Sequence, residues 1–208
     1  IEDFLVGAIG DNNDSNQSNA GRVFIFFGSI NDTKRADADA DVILDGQSAS
    51  DRFGISVASA GDFNGDGKSD VIVGADKDGN TGSAFIFFGG ITGTKRADAD
   101  ADVILNGQSA SDNFGFSVAS AGDFNGDGKD DVIVGASGDD NNSTSNSGSA
   151  FIFFGRITGT KRADADADVI INGQSPIDNF GASVASAGDF NGDGKDDVII
   201  GAPLDDNN

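Results

Sequence analysis

Short apolar runs alternate with polar, turn-rich stretches along the whole chain, and none of the apolar runs has the length or period of a helix. Between Phe53 and Leu105 four such runs stand out. They predict antiparallel strands A over Phe53 to Ala60, B over Asp70 to Ala75, C over Ser83 to Gly89 and D over Asp102 to Leu105. The Ala-Asp alternation ahead of strand D reads as a polar approach to that strand. Side-chain size also differs between the runs. SVASAG in strand A is small throughout and FIFF in strand C is bulky on both faces, so the four-stranded unit tapers toward A. A wedge of this kind suits blades set radially, with the A strands crowded near an axis. VIVGA in strand B is apolar on both faces, as expected where neighbouring sheets cover it from either side.

The pattern recurs. GDFNGDGK opens at Gly61, Gly122 and Gly188, so its copies lie 61 and 66 residues apart, and FIFFG recurs at Phe24, Phe85 and Phe151 with the same spacings. TKRADADADVI follows from Thr33, Thr94 and Thr160. The difference in period falls in a polar segment between strands B and C, where a surface connection tolerates insertion. The units are 1–52 with strands B to D, 53–113, 114–179, and 180–208 with strands A and B. The expected fold is all-β, a β-propeller of four-stranded antiparallel blades with about three blades present. Propellers normally have four to eight blades. Closure is therefore expected from a longer parent protein or, alternatively, from a homo-oligomer.

Charge narrows the function. With 35 acidic and 13 basic residues the formal charge is -22, which disfavours a nucleic-acid partner and favours a protein that recruits cations. Cys, His, Trp, Tyr and Met are absent, so only oxygen ligands are on offer. Most side chains of general acid-base catalysis are missing as well, and no enzyme activity is expected. No apolar run approaches the roughly 18 to 20 residues that cross a bilayer as a helix. The lack of an initiator Met suggests a processed product or a piece of a longer chain.

Those oxygen ligands are concentrated in the loop between strands A and B, residues 62–70, 123–131 and 189–197. Position by position the candidates are Asp62, Asn64, Asp66, the Lys68 carbonyl and Asp70 in the first loop. They are Asp123, Asn125, Asp127, the Lys129 carbonyl and Asp131 in the second, and Asp189, Asn191, Asp193, the Lys195 carbonyl and Asp197 in the third. Alternate side chains of a tightly wound loop can ring one cation with hard oxygens at about 2.3 to 2.6 Å, which favours Ca2+ over zinc or magnesium. Three calcium sites are expected. The first nine positions resemble an EF-hand loop, but Val73, Val134 and Ile200 stand where a bidentate Glu would be needed. The competing reading is a plain hairpin turn, since Asn-Gly and Asp-Gly favour turns. A turn does not require three Asp and one Asn at alternate positions, three times over.

FGISVASAGDFNGDGKSDVIVGA at Phe53 to Ala75 resembles the FG-GAP repeat of integrin α-subunit propellers and bacterial surface proteins. The FG element is Phe53-Gly54, Phe114-Gly115 and Phe180-Gly181, and the last copy has a full Gly201-Ala202-Pro203. The resemblance implies calcium held in the A-B loops and an extracellular or cell-surface, secreted protein of the bacterial type. It also implies a role in adhesion or protein interaction. A structural repeat of a fibre or matrix is the alternative, with self-assembly in place of a partner. Carbohydrate binding is a third possibility, weakened by the absence of Trp and Tyr for sugar stacking. KRADADAD, as at Lys95 to Asp102, reads as a solvated charged linker rather than a ligand loop. Asp139, Asp140, Asn141 and Asn142 offer a weaker second cation site or simply a polar loop. Asn31 and Asn142 begin glycosylation sequons.

Overall fold

The computed structural model describes residues 3–28, 32–141 and 144–205. The sequons at Asn31 and Asn142, and the first two residues of the chain, lie outside these. The strands are β1 (Phe4–Ala8), β2 (Arg22–Phe26), β3 (Val42–Asp45), β4 (Ser56–Gly61), β5 (Asp70–Ala75), β6 (Ser83–Phe87), β7 (Gly93–Arg96) and β8 (Val103–Asn106). They continue with β9 (Phe114–Gly122), β10 (Asp131–Ala136), β11 (Ser149–Phe153), β12 (Gly159–Arg162), β13 (Val169–Asn172), β14 (Ser183–Gly188) and β15 (Asp197–Gly201). The protein is all-β with antiparallel four-stranded units, as its alternation of apolar runs and turns requires. In the second unit A, B, C and D are β4, β5, β6 and β8, joined in that order across one sheet. In the third they are β9, β10, β11 and β13. Strand A starts later than expected, at Ser56, in the second unit, whereas in the third it starts at Phe114.

Neighbouring sheets meet along their A strands, where small side chains allow close approach. The Ser56 hydroxyl accepts the Val118 N–H at 3.1 Å and the Ser117 hydroxyl donates to the Gly181 carbonyl at 2.7 Å. The glycines of the FG and GA elements meet across the same seam. A Cβ on Gly74 would overlap the Gly115 carbonyl oxygen, and one on Gly135 the Gly181 carbonyl oxygen. Between the sheets lie apolar clusters seated on the FG phenylalanines. Phe53 stacks edge-on against Phe85 at 5.6 Å, and Phe114 against Phe151 at 5.5 Å. Each such buried ring contributes about 1.5 to 3 kcal/mol by burial alone. The outer faces of the first and last sheets are open, with Phe4, Val6, Phe190 and Ile199 exposed, so the described residues form an open stack rather than a ring.

Two expectations are corrected. The Ala-Asp stretch is not a featureless approach: Ala36–Asp39 (α1), Ala97–Asp100 (α2) and Ala163–Asp166 (α3) are each one helical turn. The cause is local. Asp39, Asp100 and Asp166 each accept the backbone N–H of the Arg that precedes the turn, at 2.8 Å, while Ala has the best intrinsic helix propensity. In the second and third units the preceding basic segment is exposed, as expected, but it is a strand rather than a linker. Strand β7 pairs in parallel with β3, and β12 with β8. The second and third units thus each lend a strand to the outer edge of the sheet before them, the fourth strand of the first sheet and the fifth of the second.

The turn before each A strand is closed by an Asp that accepts a Ser N–H at 2.9 Å, Ser48 to Asp51 and Ser109 to Asp112. Burial, reinforced by Asp78, pushes the Asp51 carboxyl up to about 6; burial, reinforced by Asp139, does the same for Asp112. The folded state therefore holds protons that the unfolded chain has released, and this contribution to stability fades as pH rises from about 4 through about 6. In chelator, the Asp51→Asn, Asp112→Asn double variant is expected to lose less stability than the parent between pH 4.5 and 7, as read by thermal melting. Parallel pH profiles for the two proteins would contradict this.

Candidate metal centre

The A-B loop begins where strand A leaves the sheet. Gly61, Gly65 and Gly67 all have positive φ, which lets the chain wind tightly through the loop. In the first loop Asp62 Oδ2 accepts the Gly67 N–H at 3.0 Å and Asn64 Oδ1 the Asp66 N–H at 2.7 Å. Asp66 Oδ1 accepts the Lys68 N–H at 3.0 Å. Asp70 spans loop and sheet, accepting the Asn64 N–H at 3.1 Å and the Gly89 N–H at 2.8 Å.

The other loops use the same Asp acceptors, but there the Asn125 and Asn191 amides donate to Asp127 and Asp193. Asp123 accepts the N–H groups of Gly126, Asp127 and Gly128, each at 2.8 Å, and Asp131 accepts those of Asn125 at 3.2 Å and Gly155 at 2.9 Å. Asp189 accepts from Gly192, Asp193 and Gly194. Asp197 accepts from Phe190 and Asn191. Asp127 and Asp193 each accept the N–H of the following Lys, Lys129 and Lys195.

Two atoms are left over. Oδ1 of Asp62 and Oδ1 of Asn125 are shielded from solvent and accept no hydrogen bond. A solvent-shielded oxygen without a donor costs about 1 to 3 kcal/mol, and a cation inside the loop would satisfy it. Burial, opposed by hydrogen bonds from Gly155 and Asn125, pushes the Asp131 carboxyl up to about 6, with Asp127 and Asp123 adding to the rise. Burial raises Asp70 in the same way. These carboxylates want positive charge nearby. Among the described residues, however, no three His, Cys, Asp or Glu side chains stand at metal-holding geometry, because most carboxylate oxygens are turned to the loop's own N–H groups. The donor set and the two orphaned oxygens fit calcium; the convergence of all five ligands is not displayed.

Position 8 was not singled out by reading the loop as a ring of odd-numbered ligands. Asp130 Oδ2 accepts the Asp62 N–H at 2.6 Å and Asp196 Oδ2 the Asp123 N–H at 2.8 Å, each from the preceding loop. The signal was present: position 8 is Asp in the second and third loops and Ser69 in the first. Asp130→Ala is expected to cost about 1 to 3 kcal/mol in urea unfolding, against near neutrality for Ser69→Ala. Equal effects would mean that the contact does not join the loops.

In the polar loop of the third unit, the Asn141 amide donates to the Ser147 and Ser149 hydroxyls and the Gly148 carbonyl, and Asp140 accepts the Asn146 N–H at 2.7 Å. These groups order the loop by hydrogen bonds. Asn142 lies outside the described residues.

Comparison with known proteins gives matches to the same elements. The family model "FG-GAP repeat" matches residues 53–87, 114–153 and 180–208. The chain is 34% identical over 162 residues to phosphatidylinositol-glycan-specific phospholipase D of Bos taurus, covering 74% of this chain and 19% of that protein. It is 33% identical over 156 residues to integrin alpha-5 of Xenopus laevis, covering 73% of this chain and 14% of that one. With integrin alpha-6 of Homo sapiens it shares 33% over 175 residues, or 82% and 14%. The chain therefore spans less than a fifth of the length of these relatives.

Proposed function

Because the chain belongs to the FG-GAP repeat family, we propose that it is a calcium-stiffened interaction module of an extracellular or cell-surface protein, without catalytic function of its own. The reading is carried by the solvent-shielded, donor-less oxygens of Asp62 and Asn125 inside loops that recur three times with the same Asp and Asn positions. Asp62, Asn64, Asp66, the Lys68 carbonyl and Asp70 would hold one ion, and the equivalent residues of the other two loops one each. The ion supplies charge compensation. It ties a loop that already touches its neighbour through Asp130 or Asp196, so that successive blades keep one relative position and present their outer loops rigidly.

Several relatives are integrin alpha chains, which supports a role in protein interaction, while the phospholipase D is matched over only 19% of its length. Calorimetric titration of the metal-free chain with calcium tests the reading. Three bound ions are expected, falling to two in Asp123→Ala. No binding at millimolar calcium would overturn it.

A further inference from the structure

We infer that the outer edge of β13 is a docking site for an extended Gly-Thr-Lys-Arg strand presented by a further copy of this repeat. The same site is filled twice within the chain. Gly93 to Arg96 lies parallel to Val42 to Asp45, and Gly159 to Arg162 lies parallel to Val103 to Asn106, in the same register both times. In the second case the Gly159 N–H donates to the Asp102 carbonyl at 3.0 Å. The strand is anchored at both ends by apolar groups. Ile91 packs at the first sheet junction and Ile157 at the second, and Ala97 and Ala163, just past the Arg, are buried.

The third sheet has the same edge strand, Val-Ile-Ile-Asn in β13 against Val-Ile-Leu-Asn in β8, and no strand covers it among the described residues. Ile170 is 40% exposed there. An uncovered edge offers a row of unpaired backbone groups to an incoming strand.

The place where the Arg of such a strand would arrive is acidic. Beside β8, Arg162 lines a cavity together with Asp78, Asp98 and Asn106. Their counterparts in the third unit, Asp139, Asp164 and Asn172, are all present, and the Ser149 hydroxyl donates to Asn172 at 3.1 Å. Among the described residues no Lys or Arg forms an ion pair with Asp139, Asp140 or Asp164. An Arg arriving opposite Asn172 would stand beside these carboxylates, as Arg162 stands beside Asp78 and Asp98. Register places Thr against Ile170 and Lys against Ile171. The inference does not depend on calcium in the loops.

The test uses a labelled peptide of sequence Ile-Thr-Gly-Thr-Lys-Arg-Ala-Asp-Ala-Asp titrated with the full chain, in calcium and in chelator, with folding checked by circular dichroism. Saturable binding is expected, with hydrogen-exchange protection gained at residues 169–172. A peptide with both basic residues replaced by Glu, and separately the Asp164→Lys chain, should each bind about fivefold more weakly or worse. No saturable binding at millimolar peptide, equal binding of a scrambled peptide, or protection confined to β14 and β15 would each overturn the inference.

Discussion

Withdrawing calcium is expected to lower the melting temperature of the chain by roughly 10 to 30 °C. At about 1 mM calcium and a site constant of roughly 10 to 100 μM, each occupied loop adds about 1.4 to 2.7 kcal/mol. Three loops together add roughly 4 to 8 kcal/mol, comparable with the whole stability of many domains. A domain of this size shifts by about 2 to 4 °C per kcal/mol. The physical source is the concentration of carboxylates in each loop, which repel one another when no ion separates them. Burial makes this worse for Asp131 and Asp70, whose carboxyls are already pushed upward. Thermal melting in calcium and then in excess chelator measures the effect. Coincident curves in the two buffers would remove the structural role assigned to the metal.

Phe63→Ala is expected to destabilise the protein by about 3 to 5 kcal/mol, whereas Phe190→Ala, at the same place in the third loop, should change stability by less than about 0.5 kcal/mol. The motif is identical around both residues. Phe63 is fully buried in the cluster that also holds Val132 and Phe153 of the next sheet, and its carbonyl accepts the Arg156 N–H at 2.9 Å. Phe190 is 87% exposed. Urea unfolding of the two variants side by side separates the value of the motif from the value of its neighbour. Similar losses for both would mean that Phe190 is covered in solution, by another copy or by a rearranged terminus.

Much of the molecule was legible along the chain. Strand B was located to the residue at Asp70–Ala75, because β-branched apolar runs bounded by Asp and Gly have few alternatives. The stacking of wedges followed from small residues in A and aromatic ones in C. The Ala-Asp turns were missed because four residues alternating every second position also satisfy one turn of helix. What decided between them was a carboxylate bonding back to the Arg N–H, as Asp100 does to Arg96. The parallel edge strand was missed for a different reason. Gly-Thr-Lys-Arg has no apolar period, and its partner lies in the preceding unit, some 50 residues away.

The order of strands, the taper of the blade and the alternate oxygen donors of the loop are local properties, written into spacing and side-chain size and readable without a partner. Which carboxylate reaches the loop before it, which basic segment becomes a strand, and whether a given Phe is buried or bare depend on contacts between units. Those contacts arise only when the wedges stack. Identical motifs, as at Phe63 and Phe190, then acquire opposite environments, because burial belongs to the surface a residue meets and not to the residue itself.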